Sequence, residues 1–551
     1  MARRTRAPWS SALAIGLTVA WGPVARSDNE DEAGQARLTV SPIASGGTAE
    51  LALRSNRTGK LGAILVSAGN GPLVGKKHFV LDLDIPFYFV TIGALDASGL
   101  LKLSVPIGDA LSGITFFAQG LVVSERGPPL VSNPVKATVD AADAASFRDA
   151  TGQLPPSATR EGTQDTDSAD LDGDGDLDQV LASRSGALIY INDGSGLWND
   201  ETDLRIGDSF FAACVELGDV DLDGDLDLVV GASPFFDLPA PNELFLNDGQ
   251  GSFTRQTAFP PGRGATFDAE LGDVDTDGDL DLVLANGRDF LHPDDGPDPD
   301  QLLINQGGRQ AGMLGLFVPD DAFAAGSFNN PAWITRDATL GDIDNDGDLD
   351  VFLARFLEGV GRANVLLKSD GMLGFLDVSD THLVPRYVDD TLEAELVDVN
   401  GDGWLDLVLA QSLLSVFGAS LMVNQGGGVF LEDAVNFPQL TEEGTRIRIG
   451  LDVADVEGDG DPDVCFSIHF EIDDSGAFVG ESLLFLNQGG AQAGVLGRYE
   501  VDATFPSTTV MIAADAAFVD IDHDGDPDLH LASFGDPAGG PPQDRLLIND
   551  Q

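Results

Sequence analysis

Seven short stretches of this 551-residue chain repeat one pattern, D-x-D-x-D-G-x-x-D, with two small departures. In chain order they carry Asp170, Asp172, Asp174, Asp176 and Asp178; Asp219, Asp221, Asp223, Asp225 and Asp227; Asp273, Asp275, Asp277, Asp279 and Asp281; then Asp342, Asp344, Asp346, Asp348 and Asp350. They continue with Asp398, Asn400, Asp402, Trp404 and Asp406; Asp455, Glu457, Asp459, Asp461 and Asp463; and Asp520, Asp522, Asp524, Asp526 and Asp528. Acids at this density repel one another unless a cation sits among them. Side chains at positions 1, 3 and 5 converge from a tight loop, position 7 offers its backbone carbonyl, and position 9 returns a carboxylate. Glycine at position 6 permits the sharp turn. Such a set of hard oxygens suits Ca2+, whereas Mg2+ demands a stricter octahedron and keeps its waters. About seven Ca2+ sites are expected, at the rate of one per pattern. Trp404 at position 7 fits a carbonyl-only role there, and Asn400 removes one charge, so the Asp398 site is expected to bind more weakly.

An EF-hand would need a bidentate Glu at position 12 and flanking helices. Here position 12 is Leu181, Val230, Leu284, Leu353, Leu409, Phe466 or Leu531, each within a strand-like run. The elements that position the loops are therefore strands. An alternating segment precedes each loop and an apolar run follows it. A second apolar run comes later and commonly ends in Asn, as at Asn247, Asn305, Asn424 and Asn487; a Gly-rich turn and an aromatic-led run (Phe253, Phe317, Phe375, Phe430) then close the unit. Short β-rich runs between Gly and Asn turns are strands. Each unit is thus four strands, A to D, with the acidic loop between A and B. Four-stranded units repeated seven times describe an all-β, seven-bladed β-propeller. The seventh unit lacks a D strand, and an orphan strand at Phe147–Thr151 precedes the first loop. That strand is expected to complete the last blade and close the ring, removing an exposed sheet edge.

With these residues in view, the repeats resemble the FG-GAP/VCBS repeats of the integrin α-subunit propeller and of many secreted bacterial proteins, over about residues 141–551. The resemblance implies a seven-bladed propeller with Ca2+ in the A–B hairpins. It does not imply one activity, because the family includes adhesive, ligand-binding and sugar-related proteins, and fold does not fix function.

Composition narrows the partners. With 91 acidic against 30 basic residues, a formal charge of −61 excludes a phosphate-backbone partner and disfavours an anionic membrane. Apolar residues make up 43%, enough for a sizeable core, and two cysteines cannot build a disulfide scaffold. The start of the chain reads as an export signal over residues 1–27: Arg3, Arg4 and Arg6, a short apolar run to Trp21, then Ala25-Arg26-Ser27. The expected location is secreted, extracellular or cell-surface. No later run is long and apolar enough for a membrane span, and a monomer is expected. Residues 36–140 hold five of the six lysines and alternating runs such as Gly62–Val66 and Leu101–Val105, which suggest a small β-sandwich ahead of the propeller.

A ligand would meet the face opposite the acidic loops, where the longest insertions fall: Ser233–Pro241, Gly287–Asp300, Phe470–Glu481 and Ser533–Gln543. Arg263, Arg336, Arg386, Arg446 and Arg448 precede A strands and either form a basic rim or pair with neighbouring acids. The A strands also carry acids (Asp165, Asp167, Glu216, Asp268, Glu270, Asp337, Glu393, Glu395, Asp452, Asp515), which predicts an acidic central channel. No nucleophile or zinc-protease motif is present. The reading is a calcium-binding propeller that acts as a ligand-binding or adhesion module for an unidentified protein or glycan. An extracellular polysaccharide-acting enzyme, with its site in the funnel, and a purely structural surface protein are the alternatives.

Overall fold

The computed structural model describes residues 147–155, 162–194, 197–207, 211–232, 241–260, 266–287, 299–310, 312–329, 334–356, 363–384, 390–411, 418–438, 445–472, 478–479, 482–489, 495–502, 504–506, 512–535 and 543–549, together with strand backbones between 36 and 138. Residues 1–27, read above as an export signal, and most of the four insertions lie outside these residues, as do Arg263, Arg386 and the side chains of Arg446 and Arg448. Among the described residues no helix is long and apolar enough to cross a membrane.

The chain divides into two units. In the N-terminal unit, Ala36–Val40, Thr48–Ser55 and Leu100–Pro106 form one antiparallel sheet. Val135–Thr138, Thr115–Val123, Leu61–Ser67 and Phe87–Ala94 form another, in that order.

The second unit is a ring of seven blades, each built on four strands, with a short fifth strand added at Leu383–Val384 in blade 5 and at Phe478–Val479 in blade 6. Blade 2 shows the plan: A at Ala212–Gly218, B at Asp227–Ala232, C at Glu243–Asn247 and D at Phe253–Arg255, each antiparallel to the next. Strand B begins at position 9 of the acidic loop in every blade, from Asp178–Ser183 in blade 1 to Asp528–Gly535 in blade 7. These B strands read as continuous apolar runs because both faces are covered. Seven apolar layers result, each shared by two consecutive blades; Val180, Ile189, Val215, Leu228 and Phe245 join blades 1 and 2. Leu181, Leu188, Trp198, Leu546 and Ile548 join blades 7 and 1.

Ring closure is made by Phe147–Asp149, which pairs antiparallel with strand C of blade 7, Arg545–Asn549. Phe147 packs edge-on against Phe505 with ring centroids 5.4 Å apart. Arg545 Nη2 donates to Asp149 Oδ2 at 2.8 Å. The first and last strands of the repeat array are thereby held in one sheet.

Candidate functional site

The acidic hairpins share one backbone geometry. In blade 2, Asp219 Oδ1 accepts the N–H of Asp223 at 3.0 Å and Oδ2 that of Gly224 at 3.1 Å. Position 1 thus caps the turn that carries positions 5 and 6. Gly224 has φ 98°, and the other position-6 glycines lie between 87° and 103°, so glycine is needed there. Position 4 is also left-handed in all seven loops. Three of these residues are glycine, and the rest are Leu222, Thr276, Asn345 and His523. A β-branched residue such as Thr276 is strained at φ 56°.

Position 9 is the hub. Asp227 is 1% exposed, accepts the N–H of Val220 through Oδ2 at 3.1 Å and that of Asn247 through Oδ1 at 2.9 Å. Equivalent pairs occur at Asp178, Asp281, Asp350, Asp406, Asp463 and Asp528. Burial, with neighbouring loop carboxylates adding to it, pushes Asp178, Asp227, Asp281, Asp406 and Asp528 up to about 7, and Asp350 to about 6.

Positions 1, 3 and 9 come together. Ligand atoms of Asp170/Asp172/Asp178, Asp219/Asp221/Asp227, Asp273/Asp275/Asp281, Asp342/Asp344/Asp350 and Asp520/Asp522/Asp528 lie within 4.8 Å of one another in each group. The Oδ1 atoms of Asp172, Asp221 and Asp344 are buried with no hydrogen-bond donor. A desolvated carboxylate oxygen facing two further carboxylates requires a cation or a proton, so these residues fit a hard divalent ion. In blade 5, Asn400 turns its amide nitrogen toward Asp406 Oδ2 at 3.2 Å, presenting a donor to the carboxylate.

Positions 5 and 7 stand apart from those groups. Position 5 caps the loop's own backbone, as Asp174 Oδ1 does toward the N–H of Asp176 at 3.0 Å. The position-7 carboxylates of Asp176, Asp225 and Asp348 lie close against the C–D glycines Gly194, Gly249 and Gly371. Two loops also carry a cation from the chain itself: Arg205 Nη2 lies 3.0 Å from Asp172 Oδ2, and Lys368 Nζ contacts Asp344 Oδ2 and lies 3.5 Å from Asp346 Oδ2.

The central channel is acidic, as the A-strand pattern predicts. A cavity of about 410 Å³ is lined by Asp165, Asp167, Glu216, Asp268, Glu393, Glu395, Asp452 and Asp515. Six of these acids are used between blades. Asp165 and Asp167 accept the N–H groups of Val215 and Leu217, at 2.8 and 3.0 Å. Glu216 accepts from Leu271, Asp268 from Ala338, Glu393 from Leu451 and Asp452 from Phe518. Burial and mutual repulsion raise the group, to about 7 for Asp165 and about 8 for Glu395. Arg336 is half-buried, with its guanidinium carbon 4.5 Å from the Phe267 ring centroid, near Glu393, Asp337 and Asp268. It therefore belongs to the acidic interior and not to a basic rim. Cys214 and Cys465 are free and buried, as small apolar side chains.

The strand-C asparagine is a functional residue whose role the linear pattern does not reveal. Asn247 Nδ2 donates to Leu171 O of the preceding blade at 2.9 Å, and Asn305, Asn424, Asn487 and Asn549 repeat this toward Val220, Ile343, Val399 and Val456. Its recurrence at one strand end was the available signal.

The fold and the hairpins define a seven-bladed propeller with an acidic turn at each A–B corner. Its units match the FG-GAP-like repeat family over residues 170–230, 235–284 and 361–466, and the chain carries FG-GAP-like repeats in a seven-bladed ring. No curated protein matches it in sequence. Solved structures with similarity include a tetra-tandem repeat from the extending region of a large adhesion protein, at 12% identity over 94% of this chain and 99% of that one, TM-score 0.14. Another is a Ca2+-stabilized adhesin with which an Antarctic bacterium reaches out and binds ice, at 10% identity over 82% and 98%, TM-score 0.14. At those TM-scores neither superposes on this chain as a whole.

Proposed function

We propose that this protein is an exported, calcium-stabilised propeller that acts as a binding or adhesion module for a protein or glycan. The carrying observation is the group of positions 1, 3 and 9, together with the buried, donor-less Oδ1 atoms of Asp172, Asp221 and Asp344. Positions 1, 3, 5 and 9 of each loop, with the position-7 carbonyl, are the proposed ligands. Ca2+ is favoured over Mg2+ because the donors are all hard oxygens in a flexible turn. A cation bound only by the folded hairpins stabilises the ring by linkage. In blades 2, 3, 5, 6 and 7 it also ties the hairpin to the strand-C Asn that reaches the preceding blade.

The binding reading is preferred to polysaccharide hydrolysis because the channel carboxylates already accept backbone N–H groups between blades. An acid held in that way is a poor candidate for a mobile proton donor. The test is a glycan and protein array probed with the full chain in Ca2+ and in EDTA. Ca2+-dependent retention on a defined ligand supports the module. Turnover of a polysaccharide without stable retention would overturn it in favour of the enzyme.

A further inference from the structure

Six of the seven seams between blades are lined alike, and the seam that closes the ring is not. At each sequential seam the third residue of one strand B shares a buried apolar layer with the second residue of the next strand B. Val180 and Leu228 do so between blades 1 and 2, Cys465 and Leu529 between blades 6 and 7, and the four seams between them follow. Between blades 7 and 1 the same two positions are His530 and Gln179. The polar change extends across blade 1. Residues directly opposite in an antiparallel sheet share a face. Gln179 lies opposite Ser168 on strand A and Tyr190 on strand C, and Thr166 lies opposite Leu181 on the same face. The six other blades have an apolar residue at each of these places, as blade 2 has Leu217, Phe245 and Val215. Leu181 and Tyr190 belong to the layer joining blades 7 and 1, and so does Leu546, the cross-strand partner of His530. These polar side chains therefore face the closing seam from both sides.

Gln179 and His530 are fully buried and Thr166 is nearly so. Both amide atoms of Gln179, both ring nitrogens of His530 and the hydroxyls of Thr166 and Ser168 are buried without a hydrogen-bond partner. Thr166 and Ser168 also line the channel cavity of about 410 Å³, as does Ala517, the strand-A partner of His530. Buried polar groups beside a roomy polar cavity are where internal water enters a protein. The strand-C Asn bond to the preceding blade, present in blades 2, 3, 5, 6 and 7, is not made from Asn192 to blade 7 among the described residues. Polar contacts hold this seam as well: Thr163 Oγ1 accepts the N–H of Ser533 at 2.8 Å and donates to Asp544. Parting an apolar seam exposes apolar surface to water, at full cost. Parting this one also returns its unmet polar atoms to water, which offsets part of that cost.

We propose that the ring opens at the seam between blades 7 and 1, where a polar strip admits water from the channel, while the other six seams stay shut until the propeller unfolds as a whole. Local openings of this kind draw on the least stable part of a structure. The blade 1 side of the seam is also the face that waits longest for cover, because the last blade to be made closes on it. A polar lining there lowers the risk of wrong association before closure. The inference is independent of the calcium reading above.

The experiment is thiol labelling of the native full chain at fixed pH and fixed Ca2+, with each cysteine followed by peptide mass spectrometry. Two buried reporters are already in place: Cys465 in the layer between blades 6 and 7, and Cys214 in that between blades 2 and 3. Leu188→Cys adds a reporter at the closing seam from blade 1, and Ile548→Cys adds one from blade 7. Each new thiol should react about tenfold faster than the two native ones. Both reporters are then placed in the background Ser168→Leu, Gln179→Leu and His530→Val, which copies the apolar lining of the other seams. There the new thiols should slow to the rate of Cys465. Any looseness caused by the cysteine substitutions is common to both backgrounds, so the slowing isolates the polar strip. Gln179→Leu alone should give part of the slowing, which keeps the test available where the triple variant does not fold. New thiols that react no faster than Cys465 overturn the proposal, as do new thiols that stay equally fast in the apolar backgrounds.

Discussion

The side-chain amide of Asn247 lies 2.9 Å from the backbone carbonyl of Leu171, one blade earlier in the ring. The same residue's backbone N–H is held by Asp227 at position 9 of its own hairpin. The order of one acidic loop is therefore transmitted to its neighbour through a single asparagine. Asn305 shows the full set: Nδ2 donates to Val220 O at 2.8 Å and Leu280 O at 3.1 Å, and Oδ1 accepts from Gly315. Asn305 is fully buried, so Asn305→Ala strands two carbonyls and one N–H away from water. The expected loss is about 3 kcal/mol, read as a lower denaturation midpoint with an unchanged slope.

Removal of divalent cations should lower the melting temperature in a graded way, and blade 5 offers a place to reverse part of the loss. Asn400 presents an amide donor to Asp406, where other loops present a carboxylate oxygen. Asn400→Asp restores the charge found at position 3 in all six other blades. The variant should bind Ca2+ at the Asp398 hairpin about tenfold more tightly, and lose more stability than the wild type in EDTA. Calorimetric titration and parallel melts in Ca2+ and EDTA check both halves.

The channel makes the fold sensitive to rising pH. Glu395 is pushed up to about 8 by burial, with Asp452 and Asp268 adding repulsion. A carboxyl raised in the folded state favours its protonated form, so its contribution is complete below the ordinary Glu range and is lost as pH climbs toward 8. Asp165, raised to about 7, acts in the same sense. Glu395→Gln fixes the neutral form. Its melting temperature should exceed that of the wild type at pH 8 and match it near pH 4, in a series of melts at constant ionic strength and constant Ca2+.

Much of this architecture was legible because the acidic loop is both a chemical signal and a strand boundary. Asp178 through Asp528 mark the first residue of strand B in each blade, so finding the loops located the strands. The missing seventh D strand likewise pointed to Phe147–Asp149. What remained hidden depends on contacts between distant residues. That Asn305 serves the blade before its own, 85 positions away in sequence, is a consequence of blade packing. The long connections after strand C of blades 3 and 6 are visible in sequence as a repeated eleven-residue segment, but that Gly307 lies against Asp279 and Gly489 against Asp461 is set by how strand C meets the hairpin. Sequence left Arg336 open between a basic rim and pairing with neighbouring acids; its place within strand A, near Glu393, Asp337 and Asp268, settles on the acids.

At the second and third residues of strand B two blades depart from the apolar rule, and both departures are costly. Gln179 is fully buried with neither amide atom bonded, where the other six repeats have Leu228, Leu282, Val351, Leu407, Val464 and Leu529. His530 is fully buried with neither ring nitrogen bonded, where the others have Val180, Val229, Val283, Phe352, Val408 and Cys465. An unpartnered buried polar group costs about 1–3 kcal/mol, and an apolar replacement of similar shape removes that cost. Gln179→Leu should therefore raise stability by about 1–2 kcal/mol at any pH. Burial holds His530 down at about 3, well below the range of an exposed imidazole. A depressed histidine is stabilising to the fold only while neutral in both states, so its penalty grows as pH falls below about 6.5. His530→Val should consequently add more to the melting temperature at pH 5 than at pH 8, and an equal gain at the two values would show that this imidazole titrates normally inside the fold.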